Sequence, residues 1–299
     1  MKYKYILSIV LAGACLSACH DFRNDYMVND TVYMRSETDA LIQDFSVYDA
    51  QFRIGVIKAG KGLSPSTVEI GIAPTDSLLA YNERHSTGYL PLPKSLYNAD
   101  EIDGTVLNFT AGEARQKVDV KWDPRAMVTK MTTETDAFVI PVFIRKADLA
   151  VSTTKYMVLV RPVLSTLSVR ALDNPMTCKE ESVATAKVGV KLDHAIPNHN
   201  VIVKFHFDPA ATTVNGIDYV AAPAGSVTLP SGEATIKAGD IETDIEVAMD
   251  MNKVGLDVSH VAGIIKIDAV EVVTENGNLD FMPVTEDEMV VRVTKTKKS

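Results

Sequence analysis

Few residues in this 299-residue chain have the types and spacing that chemistry needs. Gly55-Val56-Ile57-Lys58-Ala59-Gly60-Lys61-Gly62 fits the first seven positions of a phosphate loop, in which backbone N–H groups and a lysine hold phosphate oxygens. Gly62 then stands where Ser or Thr must hold magnesium, and Pro65 falls inside the helix that should follow, so a lysine-tipped hairpin fits better. Of the six histidines, none shows H-E-x-x-H or Cys/His spacing. His194 and His199 share a loop that could seat a metal, although solvated loop histidines are commoner, and His206 alternates away from the apolar side of its strand. There is no G-x-S-x-G elbow, and spacing along the chain cannot single out a glycosidase carboxylate pair, which meets across strands. The residues therefore predict no catalytic group, no metal site, no cofactor and no enzyme activity. Sugar binding asks instead for aromatic rings exposed on a rim. Trp122 shares parity with Val118 and Val120 and reads as core, whereas Tyr81 and Tyr97 lie in loop-like segments and are the residues expected to contact a ligand. Each tyrosine could equally plug an edge of the fold.

The N-terminus carries a more specific signal. Lys2 and Lys4 precede the apolar run Tyr5 to Ala14, which is too short to cross a hydrocarbon core of about 30 Å. The following Leu16-Ser17-Ala18-Cys19 resembles a bacterial lipobox: a branched apolar residue, two small ones, and a cysteine. The resemblance implies a signal peptide over 1–18, lipidation at Cys19 and a tether over 19–30; Cys15, behind Ala12-Gly13-Ala14, is a weaker match. Several acyl chains, at about 0.8 kcal/mol per buried CH₂, would anchor the protein without a spanning segment. Asp21 and Asp25 make the next stretch similar to the acidic surface-export signal of Bacteroidetes lipoproteins, so the cell surface is expected, with the periplasmic face as the alternative. Cys178 is then alone, which excludes an intrachain disulfide, and Glu180 and Glu181 disfavour its thiolate. A net charge of −9 repels phosphate backbones and argues against nucleic acid as a partner.

The rest of the chain has to form the elements that position any site, and it reads as strands. Val118, Val120 and Trp122 alternate with charges, as do Ile245, Val247 and Met249, while Val201, Val203, Phe205 and Phe207 share one face. Other strands are expected near 52–58, 67–73, 105–109, 137–145, 155–161, 186–192, 226–229, 233–237, 263–273 and 288–295, separated by Gly-rich turns, with no long amphipathic helix. The pattern occurs twice. A tyrosine segment (Tyr89, then Tyr219) leads to a hairpin, an Ala-Gly turn (Gly112, then Gly239) and an alternating strand; this spacing is a whole-domain duplication. The expectation is all-β: two tandem antiparallel immunoglobulin-like β-sandwich domains, 31–162 and 163–299, changing over near Arg161-Pro162-Val163.

Two resemblances follow from these residues. The second half, with Ala211, Gly216-Ile217-Asp218-Tyr219 and Ala238-Gly239, resembles a Calx-beta-type sandwich. The first, with Gly88-Tyr89-Leu90-Pro91, Ala111-Gly112-Glu113 and Phe138-Val139-Ile140-Pro141, resembles a Bacteroidetes lipoprotein domain of unknown function found in glycan-utilisation proteins. They imply an envelope lipoprotein working beside polysaccharide-uptake machinery. Calx-beta domains bind calcium after this turn, but Lys253 intrudes among Asp250, Asn252 and Asp257, which leaves too few oxygens. The expected function is a non-catalytic glycan-binding accessory of an uptake system, with polysaccharide and an outer-membrane importer as partners. The alternative is a structural or adhesive lipoprotein making protein contacts in the envelope.

Overall fold

The computed structural model describes residues 30–36, 41–60, 64–133, 137–171, 176–179, 182–229 and 231–296. Cys15, Cys19 and His20 lie outside them, as does the turn at Lys61–Gly62. In chain order the first half forms β1 (Thr31–Met34), β2 (Ile42–Ser46), β3 (Gln51–Ala59), β4 (Ser66–Ile72), α1 (Thr75–His85), β5 (Leu90–Pro91), β6 (Val106–Phe109), β7 (Arg115–Lys121), α2 (Pro124–Thr133), β8 (Phe138–Ala147), β9 (Ala150–Val151) and β10 (Met157–Val163). The second half forms β11 (Leu167–Ala171), β12 (Met176–Lys179), β13 (Val183–Leu192), β14 (Asn200–Pro209), β15 (Thr212–Val214), β16 (Ile217–Ala221), β17 (Val227–Thr228), β18 (Glu233–Ile236), β19 (Glu242–Asp250), β20 (His260–Thr274), β21 (Gly277–Leu279), β22 (Val284–Glu286) and β23 (Glu288–Thr296).

Period-2 alternation shapes each sheet. In β3, Phe52, Ile54 and Val56 are buried while Arg53, Gly55 and Ile57 face outward; in β7, Val118 and Val120 are buried and Lys117, Asp119 and Lys121 are not. The first half gives sheets ordered β7-β3-β1-β9 and β2-β10-β8-β4-β6; the second gives β19-β13-β11-β22 and β12-β23-β20-β14-β18, with β17 added beside β19. Strand for strand the two orders are the same, so the duplication read from the sequence is a duplication of topology. Even the minor strands correspond: β5 pairs with β8 as β16 pairs with β20, both in parallel. The sheets are antiparallel apart from such short edge pairings, including β1 with β9 and β12 with β23. The expected all-β pair of sandwiches is the observed fold.

Two compact units divide the chain. One gathers the described residues up to Gln43 with Gln51–Lys121 and Phe138–Arg161; the other comprises Asp44–Ala50, Trp122–Ala137 and Pro162 onward. Within the second, the Tyr48 hydroxyl donates to the Ser165 carbonyl (2.7 Å) and burial raises its pKa. Trp122 is buried as its parity predicted; it lies 4.3 Å from the Phe45 ring, and its Nε1–H donates to the Val47 carbonyl.

The strand pattern does not announce two short helices, α1 and α2, each about three turns long. Helix α2 opens on Asp123-Pro124, where Asp123 Oδ1 accepts the N–H of Arg125 (2.9 Å) and of Ala126 (3.4 Å) and proline takes the first helical position. Helix α1 offers Leu78 and Tyr81, one turn apart, to Ala73, Val139, Met157 and Leu159. Its narrow apolar stripe is a weak signal in sequence. The stronger sign is the unbroken run Phe138 to Val142, since a strand apolar on both faces needs a cover on each.

Gly112 and Gly239 join β6 to β7 and β18 to β19 with φ of +79° and +85°, and an added Cβ at either would meet open space. Alanine there costs only the left-handed backbone conformation, about 1–2 kcal/mol per site. Urea unfolding of Gly112→Ala and Gly239→Ala is expected to show that loss, and Gly88→Ala, at ordinary φ and equally open, no loss.

Candidate functional site

The outward positions of β3 and β7 form the floor of a groove of ≈ 570 Å³ in the first unit. Register builds it rung by rung. Arg53 stands opposite Asp119, Gly55 opposite Lys117, and Ile57 opposite Arg115. On the other flank of β3, Tyr33 pairs with Ile57, and the Arg35 N–H donates to the Gly55 carbonyl (2.8 Å). The middle rung is therefore Arg35-Gly55-Lys117, with a glycine between two cations. Arg35 lies across that glycine, and its Cβ would be 3.1 Å from any Cβ placed there. Gln43 and Gln116 complete the rim together with Glu113.

The carboxylates of this region are committed elsewhere. Asp119 takes a forked contact from Arg53, with Nε at 2.6 Å and Nη2 at 3.3 Å; this bond, Arg53's charge and Lys117's charge, set against some desolvation, hold its pKa below the usual range. Glu113 closes its own turn, accepting the N–H (2.8 Å) and hydroxyl (3.1 Å) of Thr110 on Oε2 and the Gln116 amide on Oε1. Among the described residues neither Arg115 nor Lys117 forms a salt bridge. The groove thus combines planar donors, two cations without ion pairs, and a short apolar floor from Gly55 to Ile57.

The sequence-predicted ligand residues are elsewhere and closed off. Tyr81 is 3% exposed and Tyr97 7%, so the expectation that either is exposed for a ligand is corrected. Tyr81 is on the buried face of α1, where its ring stacks on His85 at 4.3 Å and burial raises its pKa. Tyr97 sits between two short 3₁₀ turns, and burial, reinforced by Asp103, pushes its phenol up to about 12. A tyrosine in a loop-like sequence reaches the core when a short helix brings it round.

The remaining candidates keep structural partners. His199 Nε2 is 2.9 Å from Asp49 Oδ1 and its Nδ1 is 3.1 Å from the Val273 carbonyl, while His194 stands with Asp193, so the two are not turned to a common ion. His206 is on the outer side of β14, as its parity predicted, with Nδ1 2.6 Å from Asp268. Lys58 points inward, its Nζ donating to the Ser64 carbonyl and lying 5.2 Å from the Phe109 ring centre, and β4 follows where a phosphate loop has its helix. Asp250 Oδ1 accepts the backbone (3.1 Å) and side-chain (2.8 Å) N–H of Asn252, and Lys253 donates to the Gly225 carbonyl. No cluster of three or more metal-ligating side chains occurs among the described residues. Cys178 is in β12, but its side chain is not among those described. Sequence reasoning missed the groove because Gly55 was read as the start of a phosphate-loop-like stretch and the charges of β7 as the polar face of a single strand; what joins them is the pairing of β3 with β7, which has no signal along the chain.

The class defined by these features is a pair of β-sandwiches with a polar groove on one outer sheet face. A family model described as an N-terminal domain matches residues 26–150. No curated protein matches the chain. Among solved structures, it is similar to calcium binding domain CBD12 of CALX1.1, at 12% identity over 89% of this chain and 99% of that one, TM-score 0.38. It is also similar to a Bacteroides fragilis two-domain protein of unknown function (10% identity, 89% and 93% covered, TM-score 0.36). A third, from Bacteroides ovatus and provisionally described as carbohydrate binding, has 14% identity over 88% of this chain and 64% of that one, TM-score 0.35.

Tyr81 as a core residue predicts that Tyr81→Ala lowers stability by about 3–5 kcal/mol, as for other large buried aromatics, measured by urea unfolding. A loss below 1 kcal/mol would contradict this placement.

Proposed function

We propose that the protein is a non-catalytic, lipid-tethered binding protein of the bacterial outer membrane that captures glycan for an uptake system. The observation that carries the reading is the groove over β3 and β7. A sugar presents hydroxyl oxygens in fixed directions and patches of C–H, and the groove offers guanidinium and ammonium donors around a short apolar floor. Arg53, Arg115 and Lys117 stand on the paired strands β3 and β7, so little ordering entropy is spent on binding. The lipobox-like Leu16 to Cys19 supports the tether, and the acidic residues after Cys19 support the cell surface as its location.

Affinity electrophoresis of the full chain in detergent, through gels containing plant, host and microbial polysaccharides, tests the capture. Retardation by at least one glycan, relieved by soluble oligosaccharide of the same kind, is expected. Retardation by none would overturn the reading in favour of protein contact. Lipidation is tested separately: the wild-type chain is expected to incorporate labelled palmitate in cells and enter the detergent phase, and Cys19→Ser to do neither. Unchanged labelling of Cys19→Ser would place the acyl chain elsewhere.

A further inference from the structure

We infer that the groove selects acidic glycan, seating a uronate carboxylate or a sulfate group between Lys117 and Arg115; this rests on the glycan-capture reading and deepens it. The argument starts from what stands opposite each cation. In an antiparallel pair the residue directly across a strand is the natural counter-ion position, with Cβ atoms about 4.5–5.5 Å apart. Arg53 has one, Asp119. Lys117 faces Gly55 and Arg115 faces Ile57, neither of which can neutralise anything. Glu113 is engaged by its own turn, and Asp119, whose charge Lys117 feels, is held by the Arg53 fork and makes no ion pair with Lys117. Two like charges on alternate residues of one strand repel, and a sequence selected for stability alone would place an acid across from them.

Gly55 gives the arrangement its shape. With no side chain it lets the Arg35 side chain lie across β3 beside Lys117, and its φ is not in the left-handed region, so the backbone does not require glycine there. The close approach of Arg35 does. An anionic oxygen in the groove beside this rung would meet the Lys117 ammonium and the Arg115 guanidinium from β7. Arg115 matches the planar, two-oxygen geometry of carboxylate or sulfate, and Lys117 acts as a point charge. The chain's net charge of −9 does not oppose this at short range, because at about 0.15 M salt charges beyond roughly 8 Å are largely screened. It disfavours loose adsorption of polyanions on other faces, so the groove is selective for position.

The test is affinity electrophoresis of the full chain in detergent with matched polymers: dextran sulfate against dextran, and polygalacturonate against its methyl ester. Retardation by a charged member and not by its neutral form is expected, with the two pairs telling sulfate from carboxylate. Arg115→Gln and Lys117→Gln are each expected to weaken retention about tenfold, as for a lost charged hydrogen bond. Gly55→Val, which keeps every charge but pushes the Arg35 side chain off the strand into the groove, is expected to weaken it as well, and Lys237→Gln, a lysine far from the groove in sequence and in the other unit, to change nothing. Thermal melting of each variant confirms that it is folded. Equal retention by charged and neutral members would overturn the selectivity while leaving glycan capture standing, and retention by no polymer or polysaccharide would overturn both. Charged retention that survives Arg115→Gln, Lys117→Gln and Gly55→Val would place the anion site elsewhere and overturn the inference.

Discussion

The period of two along a β-strand ties the core and the groove together. Burying Phe52, Ile54 and Val56 on β3 obliges Arg53, Gly55 and Ile57 to face outward, and burying Val118 and Val120 on β7 does the same for Lys117 and Asp119. A one-residue slip would send the cations into the apolar interior, where unpaired charge is costly, and expose the valines. The same alternation that specifies the sandwich therefore fixes the spacing of the outward donors. No loop has to be ordered to build the floor of the site, and the positive-φ turn at Gly112 carries the chain from β6 in one sheet to β7 in the other.

Duplication accounts for much of the rest. Both halves use the same strand order, the same glycine turn and the same parallel tyrosine-region strand, and they differ in what fills the connections. Between β4 and β5 the first half has helix α1; between β14 and β16 the second has only the short β15. After β7 comes helix α2, capped by Asp123; after β19 comes a single 3₁₀ turn, capped by Asp250. In the second half the β19 position opposite Gly189 is Asp244, not lysine, and Asp244 pairs with Lys187 (3.3 Å). The cation-lined groove is thus a property of the first half and not of the shared scaffold, in keeping with function residing in sites grafted on folds.

Alternation and turn residues made most of the fold legible in the sequence. Trp122 reads as core from its parity alone, and the matching Gly112 and Gly239 turns disclose the duplication. The helices escaped because short segments such as Thr75–His85 carry few apolar residues, and because the Asp123-Pro124 start was overshadowed by the strand before it. Tyr81 and Tyr97 illustrate a related limit: a lone aromatic in a polar stretch reads as exposed, yet one helical turn is enough to deliver it to the core. The groove depends on which strands pair and in what register, so the rung Arg35-Gly55-Lys117 spans residues 82 positions apart and has no signature along the chain.

The most direct measurement of the central claim is an NMR titration of the isotopically labelled chain with a retained glycan, following the Nε–H signals of Arg35, Arg53 and Arg115 and the side-chain amides of Gln43 and Gln116. If the groove is the binding site, these signals shift together and saturate at one affinity, while the Trp122 indole and the arginines remote from the groove stay in place. Shifts confined to other residues, with the five groove signals unmoved at saturation, would contradict the account.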